Sequence, residues 1–226
     1  MGRLFSGGGP GAQTPDGCSV ELYGQLPYMG ELDDVLAAFP AGGSVLELGC
    51  GTGRLGSRLA NVGLSVTGVD ESAEMLAQLP ATVAAVCSPI EALALPQTFD
   101  VVLLASQLIN HPSARLREAF AACARRHLRL GGLFLLQRHS PDWLATVKPG
   151  NVGSAGPLAL YVQTVSREEM GVHITLRYEA PTGTWWQSFL TMPLDELQIE
   201  ELLLGAGFAN IRWFGEARLW ASAVAQ

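Results

Sequence analysis

The chain has 226 residues, 48% of them hydrophobic and 15% charged, which is enough apolar side chain to fill the core of one α/β domain. Its formal net charge of −7 and its single lysine, Lys148, argue against a nucleic-acid partner, because phosphate binding needs clustered basic residues. The four cysteines lie far apart without a C-x-x-C pair, which disfavours a zinc site and a compact disulfide framework and suits a reducing compartment.

The N-terminal residues and one basic cluster are interpreted as peripheral. Residues 1–19 are rich in Gly, Pro and Ser and lack the apolar segment of a secretory signal, which predicts a mobile leader to a single domain over residues 20–226. No apolar run approaches the ~20 residues of a membrane span, so we expect a cytoplasmic protein without a membrane partner. Arg125, Arg126 and His127, with Arg129, are interpreted as a solvated helix end.

Strands and helices alternate along the first two thirds of the chain. A helical pattern over residues 20–39 is followed by predicted strands at 44–48, 64–70, 81–87, 99–105 and 133–137, with helices at 54–62, 71–78 and 113–130 between them. The fourth of these strands is almost wholly apolar, as a parallel strand buried on both faces is. This alternation indicates a parallel sheet with right-handed crossovers.

The pattern changes near Pro141. Residues 158–192 alternate and are rich in aromatic side chains, with turn signals at Gly171 and at residues 181–183, which predicts an insert of three antiparallel strands. Residues 194–204 then predict an amphipathic helix, and a final hairpin is expected around Gly215.

The glycines after the first strand can be framed in two ways. From Gly51 to Gly56 they spell G-x-G-x-x-G, with Asp70 at about the distance of the acid in a dinucleotide-binding unit. From Gly49 to Gly53 they spell G-x-G-x-G. The first glycine of a dinucleotide fingerprint follows its strand at once, and here that glycine is Gly49. The second frame therefore fits the chain better.

That frame carries a family resemblance. ELGCGTGR followed by GVDESAEML resembles motif I and the second-strand acid of class I S-adenosylmethionine-dependent methyltransferases. TFDVVLLASQLINH, RLGGLFLLQ and DELQIEELLLGAGFANIRWF resemble later segments of the same family, in the right order. The resemblance implies an α/β, doubly wound, Rossmann-like seven-stranded mixed sheet with its last strand antiparallel, to which the three-strand insert at 158–192 would add a cover.

The resemblance also implies an activity. A methyl group of S-adenosylmethionine would pass by in-line displacement to a small-molecule acceptor, leaving S-adenosylhomocysteine. Two alternatives stay open at this point: a nicotinamide-dependent oxidoreductase, and a module that binds S-adenosylmethionine without catalysis. No metal is expected, and the oligomeric state and the methylated atom (N, O or C) are left open.

The expected cofactor site follows the motif residue by residue. Glycines allow a ligand close to the backbone, and a carboxylate at the second strand's end can accept hydrogen bonds from both ribose hydroxyls. By resemblance, Glu47 would hold the amino-acid end, and Met75 would be an apolar wall unless it is ordinary helix core. Ser88-Pro89 stands where the family often has an aspartate for adenine, which implies looser recognition there. The full expected set is Glu47, Gly49, Cys50, Gly51, Gly53, Asp70, Glu71, Met75, Ser88 and Ala105.

The acceptor side is specified less well by the sequence. His111 is a candidate general base because it follows the fourth predicted strand, and a plain surface histidine is the alternative. The aromatic side chains of the insert could line a pocket, form cross-strand pairs or make a dimer face. The expected acceptor-side residues are Tyr28, Ser106, Asn110, His139 and Trp186.

Overall fold

The computed structural model describes residues 4–226. In chain order its strands and helices are β1 (Phe5–Gly8), α1 (Val20–Gln25), β2 (Ser44–Leu48), α2 (Arg54–Asn61), β3 (Ser65–Asp70), α3 (Ala73–Leu76), β4 (Val83–Cys87), β5 (Phe99–Leu104), α4 (Ala114–His127), β6 (Leu128–Gln137), α5 (Pro141–Thr146), β7 (Gly150–Ala155), β8 (Leu158–Glu168), β9 (Gly171–Ala180), β10 (Gly183–Thr191), α6 (Glu196–Gly205), β11 (Phe208–Phe214) and β12 (Trp220–Ala225). Within residues 4–226 no helix is long and apolar enough to cross a membrane.

The main sheet has seven strands in the order β11-β12-β6-β5-β2-β3-β4. Strands β2 to β6 pair in parallel, whereas β12 runs antiparallel to β6 and β11 antiparallel to β12. Apolar cores cover both faces of the sheet: Leu46 and Leu104 belong to one, Val45 and Leu103 to the other. The predicted doubly wound mixed sheet with a reversed last strand is therefore confirmed, and the carboxyl ends of its parallel strands share one edge.

A second sheet of five antiparallel strands, in the order β1-β10-β9-β8-β7, packs beside the main one. The predicted three-strand insert corresponds to β8, β9 and β10, and the structure adds β7 and β1. The leader prediction differs here: Phe5–Gly8 pairs along β10, with Phe5 opposite Phe189, while residues 1–3 lie outside the described residues. Both added strands are rich in glycine and carry no apolar alternation, which explains why the sequence pattern did not indicate them.

Three helices are shorter than predicted, and one of them is α3, which covers Ala73–Leu76 where the pattern indicated 71–78. The pattern at 20–39 yields α1 and a short 3-10 turn at Leu36–Ala38, because Pro27 disfavours helical geometry at Leu26, whose backbone is extended (φ −68°, ψ 118°). Helix α4, capped by the Ser113 hydroxyl, ends at His127, and β6 begins at once. His127 was expected on a solvated face and is instead fully buried, with its Nε2 accepting from the Leu95 amide at 3.0 Å. That expectation is wrong for His127.

Candidate active site

The loop between β2 and α2 forms the centre of the carboxyl edge. The amides of Gly49 and Cys50 both donate to the Val69 carbonyl, at 2.8 and 2.9 Å, so the loop is tied to β3. Gly53 has a left-handed backbone (φ 82°), and a Cβ there would lie 2.3 Å from Leu79 Cδ2. Gly51 is different, because a Cβ on it would meet only the Tyr23 ring, at 4.0 Å. The loop thus presents bare backbone toward open space.

Asp70 ends β3 and faces the same loop. Its Oδ2 accepts a hydrogen bond from the Gly51 amide and its Oδ1 one from the Ser72 amide, both at 2.9 Å. Each carboxylate oxygen can accept a second hydrogen bond, so two acceptor positions remain for a ligand. The arrangement suits a vicinal diol such as ribose, which donates two hydrogen bonds at once.

Glu47, on β2, is a buried carboxylate with an unused acceptor. Only 3% of its surface is exposed, and its Oε2 has no hydrogen-bond partner among the described residues. Burial raises the pKa of Glu47 to about 8, the Gly56 amide opposes this, and the nearby Asp70 charge adds to it. A buried acceptor without a donor is costly, so this position favours a ligand that brings a donor, and most of all a cation.

The start of α2 supplies donors beside these two carboxylates. Gly53 is the N-cap and has no side chain to satisfy the amides of the first turn. Arg54 is the first helical residue and pairs with Glu31. An uncapped helix start with an adjacent guanidinium suits a carboxylate ligand.

These features match one small molecule group by group. S-adenosylmethionine carries an ammonium for Glu47, a ribose diol for Asp70 and a carboxylate for the start of α2. The residues present therefore fit this cofactor. Within residues 4–226 no cluster of three or more His, Cys, Asp or Glu side chains could hold a metal ion.

Comparisons with known proteins agree with the fit. A family model described as a methyltransferase domain matches residues 45–132. The Bacillus subtilis (strain 168) protein YqeM, named as a methyltransferase, is 32% identical over 207 residues, covering 83% of this chain and 82% of the relative. This chain belongs to the class I S-adenosylmethionine-dependent methyltransferases.

Solved structures of methyltransferases share the fold. The CcbJ methyltransferase from Streptomyces caelestis superposes with a TM-score of 0.68 at 22% identity, covering 84% of this chain and 90% of that one. CalS10, an amino pentose methyltransferase from Micromonospora echinaspora solved with the cofactor bound, gives 0.62 at 20% identity and coverages of 84% and 86%. As a member of its family the chain is an enzyme whose cofactor is S-adenosylmethionine, and the nicotinamide-dependent alternative is wrong.

The remaining predicted cofactor residues lie along the same edge with different orientations. The Cys50 thiol points inward, since a Cβ on Gly68 would lie 2.7 Å from its Sγ, so only the Cys50 backbone faces the loop. Met75 is buried in α3, and Ala105 is buried just after β5. Glu71 is exposed, and its pKa is raised by partial burial and then by the charges of Asp16, Asp70 and Glu91.

Ser88 follows β4 at the edge of the main sheet. Its amide donates to the Asp70 carbonyl at 3.0 Å, and its hydroxyl donates to the Pro89 carbonyl at 2.9 Å. The hydroxyl oxygen can still accept a hydrogen bond.

Two predicted acceptor-side residues, Asn110 and His139, have structural contacts where the two sheets meet. The Asn110 side chain accepts from the His139 amide at 2.8 Å and donates to the Met192 carbonyl at 2.7 Å, so it joins the two sheets. The His139 ring stacks on the rings of Trp143 and Phe189, with distances between ring centroids of 5.7 and 6.2 Å. Burial lowers the pKa of His139 to about 4, which keeps the ring neutral near pH 7.

The candidate base His111 is held in a similar way. Its ring stacks on Phe5 of β1 at 5.3 Å, and its Nδ1 accepts from the Ser113 amide at 3.0 Å. Burial lowers the pKa of His111, and the charge of Arg117 lowers it further. The ring therefore belongs to the junction between the two sheets.

Ser106, Tyr28 and Trp186 lie in three different places. Ser106 is exposed at the end of β5 in a left-handed backbone (φ 54°), a geometry that is unusual for a non-glycine residue and common at functional sites. The Tyr28 hydroxyl is engaged by Asp33, to which it donates at 2.8 Å. Trp186 is 40% exposed on the face of the second sheet opposite to its neighbour Trp185, so the structure does not bring it to the carboxyl edge.

The structure adds a cluster that the sequence did not single out as a binding site, and we call it the phenol cluster: Cys18, Tyr23, Tyr178 and Gln187. The Tyr23 hydroxyl donates to Gln187 Oε1 at 3.3 Å, the Cys18 thiol donates to the Tyr23 oxygen at 3.4 Å, and the Gln187 amide donates to Cys18 Sγ at 3.0 Å. The Tyr23 carbonyl accepts from the Thr52 hydroxyl at 3.1 Å, which fastens α1 to the glycine loop. The sequence signals were Tyr23 and the aromatic side chains of the insert.

Proposed function

We propose that this methyltransferase acts on a small-molecule acceptor, bound at the carboxyl edge of the main sheet and covered by the second sheet. The observation that carries this proposal is the covering itself. Tyr23 of α1 lies over Gly51, and its hydroxyl donates to Gln187 of β10 at 3.3 Å, so α1 joins the second sheet to the glycine loop. A covered site of this kind suits a compact acceptor better than a nucleic-acid duplex, and the net charge of −7 supports this.

In the proposed mechanism the protein binds the cofactor, orients the acceptor and excludes water from the site. Asp70 would hold the ribose of S-adenosylmethionine and Glu47 its ammonium group, and the bare backbone of the glycine loop would leave room for the methionine chain. When bound, S-adenosylmethionine supplies an electrophilic methyl group on a sulfonium. The second sheet and α1 exclude water and align the acceptor with that methyl group, which are the main contributions such a displacement needs.

The acceptor atom we propose is an amine nitrogen. An amine reacts through its own neutral lone pair, whereas a hydroxyl usually needs a general base. Both candidate histidines, His111 and His139, are packed against aromatic rings and have lowered pKa values. Two proteins of similar fold, the amino pentose methyltransferase CalS10 and the glycopeptide N-methyltransferase MtfA, support an amine in a small polar molecule.

The first test measures cofactor binding by calorimetry. S-adenosylhomocysteine should bind the wild-type protein and bind Asp70→Ala at least about tenfold more weakly, because two charge-assisted hydrogen bonds are lost. Asp142→Ala, which changes an exposed carboxylate on α5, is the matched control and should bind as wild type does. Equal binding by all three proteins would contradict the proposed site.

The second test uses methyl-labelled S-adenosylmethionine with panels of small amines and small alcohols. Transfer to an amine, with a rate that rises with pH as the amine loses its proton, would support the proposal. Transfer only to alcohols, or only to RNA or protein, would overturn it.

A further inference from the structure

We infer that Gln137, at the carboxyl end of β6, binds the methyl acceptor by donating a hydrogen bond from its side-chain amide to an oxygen atom on the carbon next to the acceptor amine. The acceptor class that follows is a small amine with a neighbouring hydroxyl or ether oxygen. This inference rests on the proposed function and deepens it, because it adds a second functional group of the acceptor and the residue that recognises that group.

Gln137 shares one face of the main sheet with the carboxylate of the cofactor site. Leu103 of β5 pairs with Glu47 of β2 on one side and with Leu135 of β6 on the other, so these three side chains form one row. Gln137 comes two residues after Leu135 and therefore lies on the same face, nearer the carboxyl edge. Neighbouring strands are about 4.8 Å apart, so Gln137 lies about 10 Å along the edge from the loop that follows β2.

The chain beyond Gln137 leads to the junction of the two sheets. His139, two residues later, stacks on Phe189 of β10, and its amide donates to Asn110 Oδ1 at 2.8 Å. Gln137 therefore lies between the glycine loop and the place where the second sheet meets the carboxyl edge. The proposed function puts the acceptor in this region.

One hydrogen bond determines which way the Gln137 amide faces. The Ser106 backbone amide donates to Gln137 Oε1 at 3.0 Å, and because a backbone N–H can only donate, the side-chain oxygen faces Ser106 and the nitrogen faces away. Ser106 and Gln107 both have left-handed backbones (φ 54° and 57°), an unusual geometry for non-glycine residues that clusters at functional sites. The turn after β5 thus holds the Gln137 amide in one orientation.

The amide nitrogen of Gln137 is a donor without a partner at a nearly buried position. The side chain is only 8% exposed, and its Nε2 donates to no residue in the described range 4–226. In that range the fully enclosed side-chain nitrogen and oxygen atoms without a partner are Glu47 Oε2 and Thr191 Oγ1, so Gln137 Nε2 is reached by solvent. A donor that is fixed in orientation and largely shielded from water favours a ligand with an acceptor atom.

An oxygen atom is the acceptor group that this donor selects. Hydroxyl and ether oxygens accept hydrogen bonds, whereas an ammonium group only donates them. The reacting amine must also keep its lone pair for the methyl group, so the amine and the hydrogen-bonded atom are two different groups. Of the roughly 10 Å along the edge, the hydrogen bond takes about 3 Å and the approach of amine to methyl another 3 Å or so, which leaves about 4 Å. That remainder suits an amine and an oxygen on neighbouring carbons.

The experiment compares three ring amines that differ in one oxygen: trans-2-aminocyclohexanol, its methyl ether trans-2-methoxycyclohexylamine, and cyclohexylamine. Transfer from methyl-labelled S-adenosylmethionine gives kcat/KM for wild type, for Gln137→Met and for the control Gln97→Met. Methionine keeps the length of the side chain and donates no hydrogen bond. Gln97 is exposed in the loop before β5, at the opposite edge of the main sheet.

Gln137→Met should lower kcat/KM about tenfold for the two oxygen-bearing amines and leave that of cyclohexylamine within about twofold of wild type, and Gln97→Met should change none of them. Intrinsic differences in reactivity cancel, because each variant is compared with wild type on the same amine. Equal losses on all three amines would restrict Gln137 to supporting the Ser106 turn.

That outcome, unchanged values on all three amines, or transfer confined to amines without a neighbouring oxygen would each overturn the inference and leave the proposed function intact. Absence of transfer from wild type to any small amine would instead overturn the proposed function.

Discussion

Glu47→Gln removes the one buried carboxylate of the site while keeping its shape. The pKa of Glu47 is about 8 in the folded chain, against an ordinary 4.5, so the folded state holds a proton that the unfolded state releases. A raised carboxyl pKa stabilises the fold fully below pH 4.5, and that stability is lost as pH rises toward 8. At about 1.4 kcal/mol per pKa unit, the wild type should lose about 4 kcal/mol between pH 5 and pH 8.5 through this residue.

Glutamine does not titrate, so the variant should escape that loss. We expect the free energy of unfolding of Glu47→Gln, relative to wild type, to increase by about 4 kcal/mol over this pH range, a large part of the 5–15 kcal/mol typical of a domain. Urea unfolding of the ligand-free proteins at both pH values measures the difference, and other groups cancel because they titrate in both proteins. Glu201→Gln, on the exposed face of α6, is the control and should follow wild type. If Glu47→Gln follows wild type too, Glu47 is already ionised at neutral pH and the reasoning fails.

Three further predictions test neighbouring parts of the site and fold. S-adenosylhomocysteine binding at pH 7 should release close to one proton, because the ligand ammonium would ionise Glu47. Calorimetry in buffers of different ionisation enthalpy measures this release, which Glu47→Gln should abolish. An unchanged release in the variant would mean that another group loses the proton. Gly53→Ala should lower the free energy of unfolding in urea by about 2–4 kcal/mol, because it adds a clash with Leu79 to an unfavourable φ. Gly63→Ala, at φ 90° in open space, should lower it by only about 1–2 kcal/mol. Equal losses would mean that the Leu79 side chain moves aside without cost. His127→Ala should cost about 2–4 kcal/mol in the same assay and Arg129→Ala much less, since only His127 is buried; similar costs would contradict its place in the core.

The main sheet could be predicted because its signals are local. Each parallel strand is a short apolar run, and two of the crossover helices have a side-chain cap, Ser72 for α3 and Ser113 for α4. The second sheet could be predicted only in part. Its strands β7 and β1 are glycine-rich, and they are strands because β8 and β10 offer them hydrogen bonds, a tertiary effect without a sequence pattern.

The candidate site could also be predicted only in part, because some of its features depend on local sequence and others on long-range packing. Glu47, the glycine loop and Asp70 could be located from the sequence because motif residues at strand ends must meet at one edge. The face of β9 that packs on α1 could not be predicted, because it depends on strand register: β8 has an irregularity between Val162 and Thr164 opposite β9, and only the three-dimensional pairing shows which face of β9 meets α1. The surroundings of His111 and His139 could not be predicted for a related reason, because the rings of Phe5 and Phe189 that stack on them come from strands far away in the chain.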